Sequence, residues 1–145
     1  MATTLVGYTT ANAENAPTAT ISLPPGVFDS DVIILFVSKD GSGLPPTPSG
    51  FTQQYNALSG GSHTDSLFWK AASAEPSSYT INMGGNERAW LWLAVYREVD
   101  NLAPFASFAS EVNPGADQNM VIPQITRIIP EQMCVALIGT ESGNT

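Results

Sequence analysis

Four consecutive residues, Ser62-His63-Thr64-Asp65, bring a hydroxyl, an imidazole and a carboxylate into one short stretch. Nucleophilic catalysis needs these groups in a relay, with the base held between nucleophile and acid, and neighbours in a turn rarely meet that geometry. His63 is the one histidine and Cys134 the one cysteine, so the three or four soft ligands of a zinc site cannot be assembled. The expectation is a solvated turn histidine, no catalytic residue and no metal or other cofactor. Cys134 lies in Met133-Cys-Val-Ala-Leu-Ile138 and reads as a small buried hydrophobe that forms no intrachain disulfide.

Oxygen ligands are more plentiful. Asp29 and Asp31 flank Ser30, and Asp40 follows at the far end of an apolar run. Calcium takes six or more converging oxygens, whereas Asp31 and Asp40 bracket a strand of roughly 30 Å. Two carboxylates are too few, and solvated turns are expected. Gly41-Ser-Gly43 has neither the lysine nor the helix of a phosphate loop. Lys70 with Glu75, and Arg88 with Glu98, read as surface ion pairs of about 0–1 kcal/mol each.

The elements that would position these groups are strands. Arg88-Ala-Trp-Leu-Trp-Leu-Ala-Val-Tyr-Arg97 holds eight uninterrupted apolar or aromatic residues between two charges. At period two, Trp90, Trp92, Ala94 and Tyr96 take one side and Leu91, Leu93 and Val95 the other, so both faces should be covered. A helix would need polar positions between the apolar ones. Asp31-Val-Ile-Ile-Leu-Phe-Val-Ser38 is a second such run, and both are expected as interior strands, with Trp92 in the core.

The remaining strands are punctuated by eleven prolines and twelve glycines. Leu5 to Thr9 is a first strand and Ala11 to Pro17 a surface loop. Thr18 to Leu23 ends at Pro24-Pro25, which cannot donate to a ladder. Lys39 to Gly50 is a proline-pinned loop. Phe51 to Ala57 pairs with Asp65 to Ser73 across the Ser59 to His63 turn. Ser77 to Met83 turns through Gly84 to Glu87 into the Arg88 run as a hairpin. Phe105 to Val112 is an irregular crossing anchored by Phe105 and Phe108. Asn119 to Ile125 is an edge strand because of Pro123, and Gln132 to Ile138 is the last strand. About nine strands at ten-residue spacing predict an all-β, two-sheet antiparallel β-sandwich, jelly-roll-like or immunoglobulin-like, with a closed barrel as the alternative. No repeat or domain boundary interrupts residues 1–145, which form a single domain able to bury roughly 70% of its unfolded surface.

Five Lys plus Arg against thirteen Asp plus Glu give a net charge of −8, which argues against docking on nucleic acid or anionic lipid. The N-terminus has no basic start with a long apolar segment after it, so no signal peptide is expected. No apolar run approaches the ~18 residues of a membrane span.

Several of these stretches, in order, resemble one family. Asp31 to Ser38, Pro46-Thr-Pro-Ser-Gly-Phe-Thr52, Leu67-Phe-Trp-Lys-Ala-Ala72, Glu75-Pro-Ser-Ser-Tyr-Thr80 and Ala94-Val-Tyr-Arg97 before Val99-Asp100 are similar to a β-sandwich domain of tailed-bacteriophage virion structural proteins and some bacterial surface proteins. The resemblance spans about residues 5 to 140. Glu98 stands where that family usually has glycine, and the family's domain usually runs several strands past Ile138. The resemblance implies a non-enzymatic virion structural protein, made in a host cytoplasm and built into a capsid or tail as a decoration, fibre or adaptor module. The alternative is a carbohydrate-binding receptor module of a tail fibre or bacterial surface protein. Expected partners are other virion proteins or further copies of the chain, with a surface glycan under the alternative, and no nucleic acid or membrane insertion. Partner contacts are expected at Pro45, Pro46, Phe51, Tyr55 and His63, on the loops of one sandwich end. The assembly edge is expected at Met120, Ile122 and Ile125. Ending short of its relatives, the chain is expected to be a fragment or to be completed by strand addition from a neighbour.

Overall fold

A computed structural model describes residues 3–59, 62–110, 133 and 135–137. These form one antiparallel sheet of five strands, β1 (Thr4–Ser22), β2 (Val32–Asp40), β3 (Thr52–Ser59), β4 (His63–Ala71) and β5 (Ser78–Arg97), in the order β1-β5-β2-β4-β3. The two doubly apolar runs lie side by side in the sheet's interior, with Leu35 opposite Leu93 and Ile34 opposite Ala94. Register then decides the faces. Ile33, Leu35 and Val37 join Leu91, Leu93, Val95 and Phe68 on face A. Val32, Ile34 and Phe36 join Ala94, Tyr96 and Leu67 on face B.

Face A is covered by the sheet itself. A straight strand carries residues thirteen apart to about 40 Å, yet Thr9 Oγ1 donates to the Ser22 carbonyl of the same strand. The strand β1 is therefore folded back on itself, and its partner β5 bends with it. At the bend, Pro17 alone lies between the paired residues Ala16 and Thr18, while Met83 to Asn86 lie between their partners Glu87 and Asn82. Proline has no N–H for the ladder, and Gly84 at φ 77° takes a left-handed conformation that a side chain would oppose. The doubled-back half brings Ala19, Ile21, Ile81 and Met83 onto Ile33, Leu35 and Val37 in one buried cluster.

The chain is all-β as expected, and the described residues form one antiparallel five-stranded sheet with a folded end. Two expectations are corrected here. Ser77 to Met83 and Arg88 to Arg97 do not pair with each other as a hairpin, since they are successive halves of β5, each paired with a half of β1. Ala11 to Pro17 is part of β1 and not a loop. A glycine pair facing an Asn- and Pro-containing stretch carries the composition of two turns, and only their mutual pairing makes them a shared bend. The β3–β4 hairpin, the proline loop after Asp40 and the break at Glu75-Pro76 stand as expected. Phe105 and Phe108 anchor an irregular segment, Phe105 against the edge of Trp69 and Phe108 against Tyr55. Trp92 is only partly buried. The Asn119 to Ile125 strand lies outside the described residues, and Met133 and Val135 to Leu137, described from the last expected strand, carry no strand pairing. Glu98 takes φ 62°, a left-handed backbone that non-glycine residues adopt uncommonly.

Candidate functional site

The five expected contact residues do not form one patch. Pro45 is buried and its carbonyl accepts from Asn56 Nδ2, while Pro46 is exposed. Phe51, expected to be exposed, is buried at 8% exposure. Its ring packs edge-on against Tyr79 at 5.3 Å, with Lys70 Nζ 5.6 Å from its centre. An apolar ring opening a strand at the end of face A is drawn inward by the residues across from it. Tyr55 is half-buried on face B. Along β3, Phe51 and the turn that holds His63 are about 25 Å apart. The loop and the turn do meet where each leaves the sheet: Gly41 N–H donates to the Ser62 carbonyl at 2.6 Å and Thr64 Oγ1 donates to the Gly41 carbonyl at 2.9 Å. Met120, Ile122 and Ile125 lie outside the described residues.

Of the three carboxylates weighed for calcium, Asp31 and Asp29 are engaged in hydrogen bonds. Asp31 accepts from Arg97 Nε at 2.9 Å, Arg97 Nη2 at 2.7 Å and Phe28 N–H at 2.9 Å. Asp29 accepts from Ala74 N–H. Among the described residues, no group of three or more His, Cys, Asp or Glu side chains could hold a metal. The Asp31–Arg97 pair was hidden in the sequence because its partners are 66 residues apart. The register that sets Val32 opposite Tyr96 brings them together.

The Lys70–Glu75 pair exists at 2.8 Å but is largely buried, not on the surface as expected. Glu75 also accepts from Tyr79 Oη and Ser73 N–H. Burial alone would raise the Asp31 and Glu75 carboxyls. The hydrogen bonds from Arg97 and Phe28 N–H to Asp31, and from Lys70, Tyr79 and Ser73 N–H to Glu75, outweigh it and hold both below their ordinary values of 3.8 and 4.5. Burial, then the bond to Glu75, pushes the Tyr79 hydroxyl above the tyrosine range. A carboxyl lowered by folding stabilises the native state above its unfolded pKa, and that contribution fades as pH falls through the folded value. Stability in urea melts should therefore hold steady above 4.5 and decline progressively below it, and Asp31→Asn should flatten part of that decline. An acid limb of equal depth in the variant would remove Asp31 as its source.

At the other end of the sheet His63, expected in solvent, is 4% exposed. It is the first residue of β4 and lies opposite Asp40, so pairing draws it under the sheet's polar end. Its Nε2 lies 3.1 Å from Ser38 Oγ and 3.2 Å from Asp65 Oδ1. Its Nδ1 is buried without a hydrogen-bond partner, 4.0 Å from Asp40 Oδ1. Hydroxyl and carboxylate both contact the same nitrogen, so the base does not stand between nucleophile and acid and the relay of a triad is not formed.

On face A beneath this end, Lys39 is fully buried, its Nζ donating to the Asp40 carbonyl at 3.0 Å with Glu87 Oε1 at 3.7 Å. Gly41, at φ 87°, gives the Glu87 carboxylate its space, since a Cβ there would lie 2.3 Å from Oε1. None of this was legible in the sequence, where Lys39 opened a loop and Glu87 closed a turn.

β1 is the outer strand at one edge of the sheet. From Gly7 to Ala13, β1 pairs with β5 in unbroken register. Among the described residues no strand pairs with its other side. Tyr8, at 62% exposure, and Leu5, at 44%, stand on face B beside that edge. Comparison of the chain with protein-family models, with curated proteins and with solved structures finds no match.

Proposed function

We propose that this chain is a non-enzymatic structural protein of a tailed-bacteriophage virion, a capsid- or tail-associated decoration, fibre or adaptor module that docks by strand addition along β1. The observation that carries the reading is the Gly7 to Ala13 edge. It is seven residues long in regular register, free of charge and of proline, and flanked by exposed Tyr8. Soluble proteins usually blunt such an edge with lysine, proline or a bulge, because its unpaired N–H and C=O groups template another strand. Both edge strands carry register shifts, β3 between Gln53 and Tyr55 and β1 on either side of this stretch, between Leu5 and Gly7 and between Ala13 and Ala16. An unblunted edge on an acidic chain fits a partner that supplies a strand and apolar contacts. The likeness of the Asp31 to Ser38, Pro46 to Thr52 and Ala94 to Arg97 stretches to phage virion domains gives the setting.

The test is gold labelling of intact particles that carry an epitope-tagged copy. Label concentrated on capsid or tail is the expected result. Particles without label, from cells that make the tagged chain in soluble form, would refute the virion setting.

A further inference from the structure

One cross-strand row on face B runs Asn12, Trp90, Ser38, Asp65, each opposite the next on β1, β5, β2 and β4. Above it lies a cleft of about 390 Å³, lined by Asn12, Glu14, Asp40, His63, Arg88 and Trp90 among others. We propose that this cleft binds a neutral saccharide.

Four features select that class. Trp90 is 39% exposed, so part of its ring faces solvent. Phe36 meets it edge-on at 6.2 Å and 68°, which fixes the ring as a platform. A pyranose, with C–H groups on one face and hydroxyls at its rim, suits an aromatic platform bordered by polar groups. The Lys39 side chain turns to the other face, so the charged side chains around the cleft are Glu14, Asp40 and Arg88. An anion would meet two carboxylates there against one base, whereas a neutral polyol finds acceptors and donors together.

The third feature is His63. Its Nδ1 is buried with no hydrogen-bond partner, and Asp40 Oδ1, 4.0 Å away, is beyond hydrogen-bond reach. Buried polar atoms without a partner are uncommon in folded proteins. A ligand hydroxyl, which can both donate and accept, supplies the missing partner directly or through one bridging water. The fourth feature is size, since the volume falls within the ~300–1,000 Å³ usual for small-ligand clefts.

This site does not rest on the assembly reading. A monomer that binds saccharide would keep the one and lose the other.

The test uses the full chain, titrated with glucose, galactose and N-acetylglucosamine, with glucose 6-phosphate as the anionic control. Binding is read from the ¹⁵N signal of Nδ1, which is unambiguous because His63 is the only histidine, and from tryptophan fluorescence. At least one neutral sugar should move the Nδ1 signal with Kd on the order of 1 mM, and Trp90→Ala should weaken it about tenfold or more. Trp90→Phe should retain most of the affinity. Asn12→Ala, an exposed change on β1, gives a second weakened variant should Trp90→Ala fail to fold. An unmoved Nδ1 signal with all three sugars, full affinity in the folded variants, or tighter binding of glucose 6-phosphate than of glucose would each overturn the proposal.

Discussion

Phe68→Ala is expected to lower the unfolding free energy by about 3–5 kcal/mol, the range for deleting a large buried aromatic. Phe68 is fully buried on β4, with Leu35 on one side and Gln53 on the other, beneath the folded-back half of the β1–β5 ribbon. Two layers of backbone hold their spacing around it, so the cavity cannot collapse by a side chain swinging in from solvent. Trp92→Ala should cost less than half as much. Although Trp92 is the larger residue and lies in the central apolar run, it faces B and is only partly buried. Urea melts of both variants check the order. A larger loss for Trp92 than for Phe68 would mean that face B, and not face A, holds the main core.

The second large effect concerns a buried charge. Glu87→Ala removes the carboxylate 3.7 Å from Lys39 Nζ, whose side chain has no exposure at all. Removing one partner of a fully buried pair costs about 3–5 kcal/mol. Glu87 keeps 24% exposure, and water reaching that side lowers the expected loss to about 2–3 kcal/mol. Lys39→Met on its own leaves only a partly solvated carboxylate and should be milder. The double variant Lys39→Met with Glu87→Leu should recover most of the stability, because neither charge then remains to be desolvated. Equal and additive losses in that double-mutant cycle would show that the two side chains are not coupled.

How much of this was legible follows from where the signals lie. Period-two alternation in Arg88 to Arg97 assigns both faces of β5 correctly, since its neighbours on both sides are themselves strands and nothing overrides the pleat. Paired turns failed for a different reason. Gly84-Gly85 opposite Pro17 has the composition of two separate reversals, and only the pairing of β1 with β5 along its whole length reveals one bend. Single-residue solvent exposure was the least legible level. His63 and Lys39 are polar residues next to turns, which argues for solvent, yet strand pairing and the folded ribbon bury both. Phe51 was misread from the same cause, because the residues that cover it, Tyr79 and Lys70, lie 28 and 19 positions away. Of the candidate site, alternation put Trp90 on the correct face but under cover, whereas it is 39% exposed, and Asn12, Asp40 and Arg88 joined it only through cross-strand register.

Strand addition along β1, as proposed, makes the Gly7 to Ala13 edge an assembly surface. Sedimentation velocity of the 145-residue chain against its Tyr8→Lys/Thr10→Lys variant tests this. Both substitutions fall on exposed positions of face B beside the unpaired edge, so the fold and melting midpoint should be kept. The change brings the net charge from −8 to −8 + 2 = −6, which weakens overall repulsion, so a loss of association in the variant cannot come from bulk charge. The prediction is a concentration-dependent dimer or larger species for the unaltered chain and a monomer for the variant. An unaltered chain that sediments as a monomer at every concentration, or a variant that associates as before, would contradict the claim.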